Sequence, residues 1–250
     1  MSPFAIGGIA FLFIFGAALL GMFLRSRLPG DHLSAESRDA IKLATAIIGT
    51  LSALALGLLI ASAKRSFDDA GAETRTWAAR VLLLDRVMAH YGAETAEMRA
   101  SLRELVETRL SEVNDTSGSK KPPGGGFDVE PVQDGLRSLS PQTEAQRWLQ
   151  SRALQLSGQI AEARWLRTDT EAGGFPGMFL VILVFWLALL FASFGLLAPG
   201  NATVVATLFV CALSVTAALV LIIDMDHPYL GLIRVSDAPL RLALERVDRP

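Results

Sequence analysis

The sequence predicts an all-α membrane protein with four transmembrane helices and a helical extension between the second and third. Three observations carry this. The 250 residues are 51% hydrophobic, ordinary for a soluble domain, but the apolar residues are gathered into four charge-free blocks of membrane-spanning length. About 110 residues of different composition separate the second block from the third. No stretch alternates apolar and polar residues at the period of two that a strand requires.

In chain order, residues 1–24 form the first span, with no charge before Arg25. No basic residue precedes the run and no A-x-A site comes after it, so it reads as a retained anchor rather than a signal peptide. Residues 25–40 are a short loop and a helix start. There Ser34 offers an N-cap, and Glu36 and Asp39 suit the positive end of the helix dipole. Residues 41–63 are the second span. Residues 64–113 hold two amphipathic helices of the extension, separated at Gly92. Residues 114–139, with Ser-Gly-Ser, Lys-Lys-Pro-Pro and a glycine triplet, read as a flexible linker. Ser140-Pro141 is an N-cap followed by proline at the first helical position, which opens a third extension helix over 140–170. Residues 175–198 and 202–224 are spans three and four, a hairpin joined by Pro199-Gly200-Asn201. Residues 225–250 are a tail whose helix has an apolar face of Leu240, Ala243, Leu244 and Val247, expected to dock on the helical extension.

Composition and motifs exclude several functions. Net charge is −2, which provides no basic surface for nucleic acid. A single cysteine, Cys211, forms neither an internal disulfide nor a CxxC site. The three histidines are far apart and fit no H-x-x-x-H or H-E-x-x-H pattern, so no metal ligands are assigned. There is no G-x-S-x-G and no phosphate-binding loop. The expectation is therefore a non-enzyme without a cofactor. Asp85 and Arg86 interrupt the apolar run LLLDRV and are expected to pair with other helices.

Four spans place both termini and the extension on one face. Lys64, Arg65, Arg75, Arg80, Arg164, Arg167, Arg234 and Arg241 lie on that side against Arg25, Arg27, Arg38 and Lys42 on the other, so the positive-inside rule makes it the expected cytoplasmic face, although the first span alone, flanked only by Arg25 and Arg27, argues the reverse.

Three stretches carry a family resemblance: residues 28–64 (LPGDHLSAESRDAIKLATAIIGTLSALALGLLIASAK), 82–92 (LLLDRVMAHYG) and 184–241, with the Pro-Gly-Asn turn and the Asp-Met-Asp-His-Pro exit. They resemble a bacterial membrane family described as bestrophin-like. Bestrophins proper are homo-oligomeric anion channels with four spans and a cytoplasmic helical region between spans two and three. The resemblance implies a homo-oligomeric ion channel, surrounded by lipid, in the bacterial inner membrane. The alternative is a membrane-anchored scaffold or sensor whose extension binds a protein partner without transport.

The second span holds the most informative pattern. Arg38, Lys42, Thr45, Gly49, Ser52, Leu56, Leu59, Ala63 and Ser66 recur at alternating spacings of four and three, on one helix face. The same face continues through Trp77, Val81, Leu84, Met88 and Tyr91, so one unbroken helix from Ala35 to about His90 would present a single seam. Two readings stand. The seam packs against a neighbouring helix, since small residues let helices approach closely in lipid. Or copies of this span surround an axis, with Thr45, Gly49, Ser52, Leu56, Leu59 and Ala63 lining a pore and Arg38 and Lys42 charging its mouth. Trp77, Val81, Leu84, Met88 and Tyr91 are the expected packing positions of the bundle or oligomer. Asp224 and Asp226, at the end of span four, are the other pore-mouth candidates. The plainer expectation for them is a salt bridge to Lys64 or Arg65, and a cation site is the third reading.

Overall fold

The computed structural model describes residues 3–28, 34–114, 129–170, 177–226, 231 and 233–247. The described residues contain no strand. Among them, eight α-helices run in the order α1 (Pro3–Arg27), α2 (Ala35–Tyr91), α3 (Ala96–Asn114), α4 (Glu130–Ser138), α5 (Glu144–Thr170), α6 (Gly177–Leu197), α7 (Ala202–Met225) and α8 (Ala238–Arg246). The chain divides into two compact units. One takes in residues 1–67, 175–227 and 231–233, the other residues 68–174, 228–230 and 234–250.

The first unit is built on α1, the first half of α2, α6 and α7, each long and apolar enough to cross a membrane. Only 22–28% of each apolar window is buried inside the chain. Phe13, Leu20, Leu54, Val181 and Val210 are among the large side chains left outside. Such a surface needs lipid or other protein to cover it. The helices meet through small residues. Gly7, Ala10, Ala18 and Gly21 are buried along one face of α1 with Ile14 between them. The α1–α6 crossing is reciprocal. A Cβ at Gly21 would overlap the Ala192 carbonyl oxygen, and one at Gly195 would overlap that of Ala18. Backbones in such contact can be held by dispersion and Cα–H···O contacts, in the absence of a hydrophobic drive between helices. Asn201 caps α7, its Oδ1 accepting the Val204 N–H at 2.9 Å. The Arg25 guanidinium donates to the Leu197 carbonyl at 2.7 Å, satisfying an otherwise orphaned acceptor at the end of α6.

The second unit is a helical bundle of the second half of α2 with α3, α4, α5 and α8. Trp77, Val81, Leu84 and Met88 of α2 pack in one core with Leu102, Val106, Leu136, Leu156, Ile160 and Leu240. Gly92 ends α2 with φ +139, a conformation L side chains rarely adopt. The Thr95 hydroxyl then donates to the Met88 carbonyl at 2.7 Å, closing the turn into α3. Asp85 is 1% exposed. Its carboxylate meets Arg99 of α3 in a two-point contact, Nε–Oδ1 2.8 Å and Nη2–Oδ2 3.3 Å. So Asp85 pairs between helices as its place in an apolar run suggested, whereas its neighbour Arg86 is exposed.

Two local expectations need correction. Residues 130–138, read as the end of a linker, are helical, because Val132 and Leu136, four apart, bury one face of α4 with Val129. The rest of the linker, 115–128, lies outside the described residues. The third extension helix starts at Glu144 rather than at Pro141. Its cap is Thr143, whose hydroxyl accepts the Gln146 N–H at 3.1 Å, while Gln146 Oε1 accepts the Gln142 N–H at 2.9 Å. The tail helix α8 docks as expected, burying Leu240, Ala243 and Val247 in the second unit's core.

Candidate functional site

The singled-out residues lie on α2 and, separately, at the exit of α7. α2 runs unbroken from Ala35 to Tyr91, 57 residues, so its seam stays on one face throughout. In the membrane-spanning half the seam faces the chain's own interior. Thr45, Ser52, Leu59 and Ala63 are buried, and Gly49 and Leu56 are half-buried. Leu190 of α6 packs over Gly49, its Cδ1 3.3 Å from where a Cβ would stand. This is the packing reading of the seam: small side chains let α6 approach. The mouth candidates differ, since Arg38 and Lys42 are exposed and Lys42 Nζ pairs with Asp39 at 2.9 Å. Beyond the membrane, Trp77, Val81, Leu84, Met88 and Tyr91 are all buried. Burial and then the Glu94 carboxylate push the Tyr91 hydroxyl above its usual pKa.

The outward surface of α2 has two halves. Leu43, Ile47, Leu51, Leu54 and Leu58 are all exposed and form a bulky strip. Beside it, at 100° per residue, Ala46, Thr50, Ala53 and Gly57 form a slim exposed strip. The slim strip begins at Asp39 and Lys42 and ends at Lys64 and Asp68.

Two hydroxyls stand apart. Thr45, Thr50, Ser193 and Thr207 each donate to a carbonyl three or four residues back. Ser52 Oγ and Thr216 Oγ1 are buried with no hydrogen-bond partner. An unsatisfied buried hydroxyl costs about 1–3 kcal/mol. Ser52→Ala and Thr216→Val are therefore expected to raise the stability of the detergent-purified protein, by about 1 kcal/mol each. Thr45→Val should give no such gain. A lowered unfolding midpoint for both would mean that these hydroxyls are satisfied.

Asp224 is 3% exposed, although a negative charge at a helix C-terminus faces the unfavourable end of the dipole. A backbone group compensates: Oδ2 accepts the Ile233 N–H at 2.9 Å. Gly231 packs on the same carboxylate, so that a Cβ there would lie 2.5 and 2.7 Å from its atoms. The salt bridge expected from sequence did not anticipate this amide. The available signal was Gly231 itself, seven residues past a buried acid. Asp226 is half-buried, and its N–H donates to the Ile222 carbonyl at 3.2 Å. Among the described residues no group of three or more His, Cys, Asp or Glu could hold a metal.

A chain whose described residues form four apolar spans, a helical insert after the second and a tail helix returned to that insert is a membrane protein. A family model described as Bestrophin-like domain matches residues 12–240, nearly the whole chain, and the chain belongs to that family. No curated protein and no solved structure matches it.

Proposed function

We propose that the protein is a subunit of a homo-oligomeric ion channel, with anions as the transported class. It would sit in the bacterial inner membrane with its termini and insert in the cytoplasm. The observation that carries this, beside family membership, is the filling of the four-helix unit. Ile14, Leu183, Leu187, Phe191 and Leu219 close its middle, which supports a pathway between copies rather than within one. The slim strip of Ala46, Thr50, Ala53 and Gly57 leaves α2 room for close approach or for a lumen, with charged residues at both ends. On this reading the buried seam positions α2, and Arg38 and Lys42 act at the mouth. Asp224 holds the loop after α7. No catalytic step is involved.

The experiment is anion flux from liposomes carrying the purified protein. Wild type is expected to conduct, and Thr50→Trp, which fills the slim strip without touching the interior, to stop it. Lys42→Glu should shift the reversal potential toward cations. An assembled oligomer that passes no ions would favour the scaffold reading, for which the 66% exposed Trp148 of α5 provides a surface anchor.

A further inference from the structure

We propose that the outward faces of α2 and α3 in the helical bundle form an interface between copies, α2 of one chain docking on α3 of the next. This rests on the homo-oligomeric reading and assigns it a contact surface. The first support is composition. From Ala72 to His90 the exposed positions of α2 include Arg75, Ala79, Leu83 and Arg86 but no acid. Leu83, 52% exposed, is a large apolar side chain in the middle of that face. α3 supplies the complement. Its exposed positions include Glu97, Ala100, Glu104 and Glu107, and the only base among the described ones, Arg103, pairs with Glu107 at 3.1 Å. Among the described residues no ion pair engages Arg75, Arg86, Glu97 or Glu104.

The second support is that one chain cannot join its own two strips. Each lies opposite the face its helix buries, Val81, Leu84 and Met88 on α2, Leu102 and Val106 on α3. Any protein that covers them is therefore another molecule, and a second copy carries the matching strip. The third support is register. Asp85 and Arg99, each seven residues from Gly92, bond at 2.8 Å, so α2 and α3 run back along one another. Copies related by an axis along this hairpin meet at equal distances from the turn. Arg86 is six residues before Gly92 and Glu97 five after it. Leu83 is nine before and Ala100 eight after, Arg75 seventeen before and Glu107 fifteen after. At 1.5 Å per residue the first two pairs are level within about 1.5 Å and the third within about 3 Å. Each arginine thus faces a carboxylate, and Leu83 faces an alanine that leaves it room. Such a contact joins unlike faces, so it builds a ring where the rotation closes. Complementary charge fixes its orientation.

The test is cross-linking between two differently tagged full-length chains in native membranes, both Cys211→Ser, one with Leu83→Cys and the other with Ala100→Cys. Mild oxidation of co-expressed chains is expected to give dimers carrying both tags, and neither chain alone to give any. Arg86→Glu on the first chain should lower the yield of mixed dimer about fivefold, and Glu97→Arg on the second should restore it. A yield indifferent to both charge changes would overturn the register. Dimers of the Leu83→Cys chain alone would mean that the α2 face meets itself, and would overturn the pairing with α3. Light scattering of the wild type in detergent separates the two levels of the reading. An oligomeric wild type without mixed dimers overturns this interface only, whereas a monomeric wild type overturns the homo-oligomeric reading with it.

Discussion

Gly195→Leu is expected to abolish folding of the four-helix unit, and Gly195→Ala to cost about 3 kcal/mol or more, the upper end for overpacking. The reason lies in the atoms that a side chain would meet. At Gly195 a Cβ overlaps the Ala18 carbonyl oxygen and lies 3.0 Å from the Met22 nitrogen. At Gly21 it overlaps the Ala192 carbonyl oxygen and lies 2.9 Å from the Leu196 nitrogen. These are backbone atoms, which cannot rotate away, so α1 and α6 must separate along their length. Separation forfeits dispersion contacts that lipid does not replace in kind. Gly8 and Gly16 are the controls, because a Cβ at either meets nothing within 4 Å. Alanine at those positions should be neutral or slightly favourable, as in any helix. Yield of folded protein and its thermal midpoint in detergent measure the difference.

The second large effect is at Asp85 and Arg99. Their side chains are 2% and 14% exposed. Asp85→Ala leaves a guanidinium in the core of the second unit, and Arg99→Ala leaves a carboxylate there. Removing one member of such a pair costs about 3–5 kcal/mol. Removing both should cost much less than the sum, because neither change then strands a charge. Asp85→Leu combined with Arg99→Met is expected to restore most of the stability. A double-mutant cycle on the full-length protein, followed by chemical unfolding, reads the coupling directly. Additive losses would mean that the two groups do not depend on each other.

Much of this fold was legible because a bilayer imposes a coarse grammar. A charge-free run of some twenty residues has few alternatives to a spanning helix, and all four appear where those runs lie. The continuity of α2 was legible from the seam, since one helix face joins Thr45 to Tyr91. The direction of the seam was not. Periodicity says which residues share a face, not whether that face meets the same chain or another copy. The answer depends on Leu190 of α6, far away in sequence. α4 was obscured by its neighbours, since nine residues with two buried side chains barely register beside a glycine- and proline-rich stretch. The Asp224 contact was hidden for a different reason. A backbone amide is present at every residue but proline, so only the indirect signal of Gly231, where a Cβ would meet the carboxylate, pointed to it.

On the proposed function, α2 turns its seam inward and offers its slim strip to neighbouring copies. Disulfide cross-linking in native membranes tests it, with single cysteines in a Cys211→Ser background. Gly57→Cys, on the exposed strip, is expected to yield covalent dimers under mild oxidation. Ser52→Cys, 4% exposed at its native position, is expected to yield none. Dimers from Ser52→Cys with none from Gly57→Cys would place the seam between subunits and contradict this arrangement of α2.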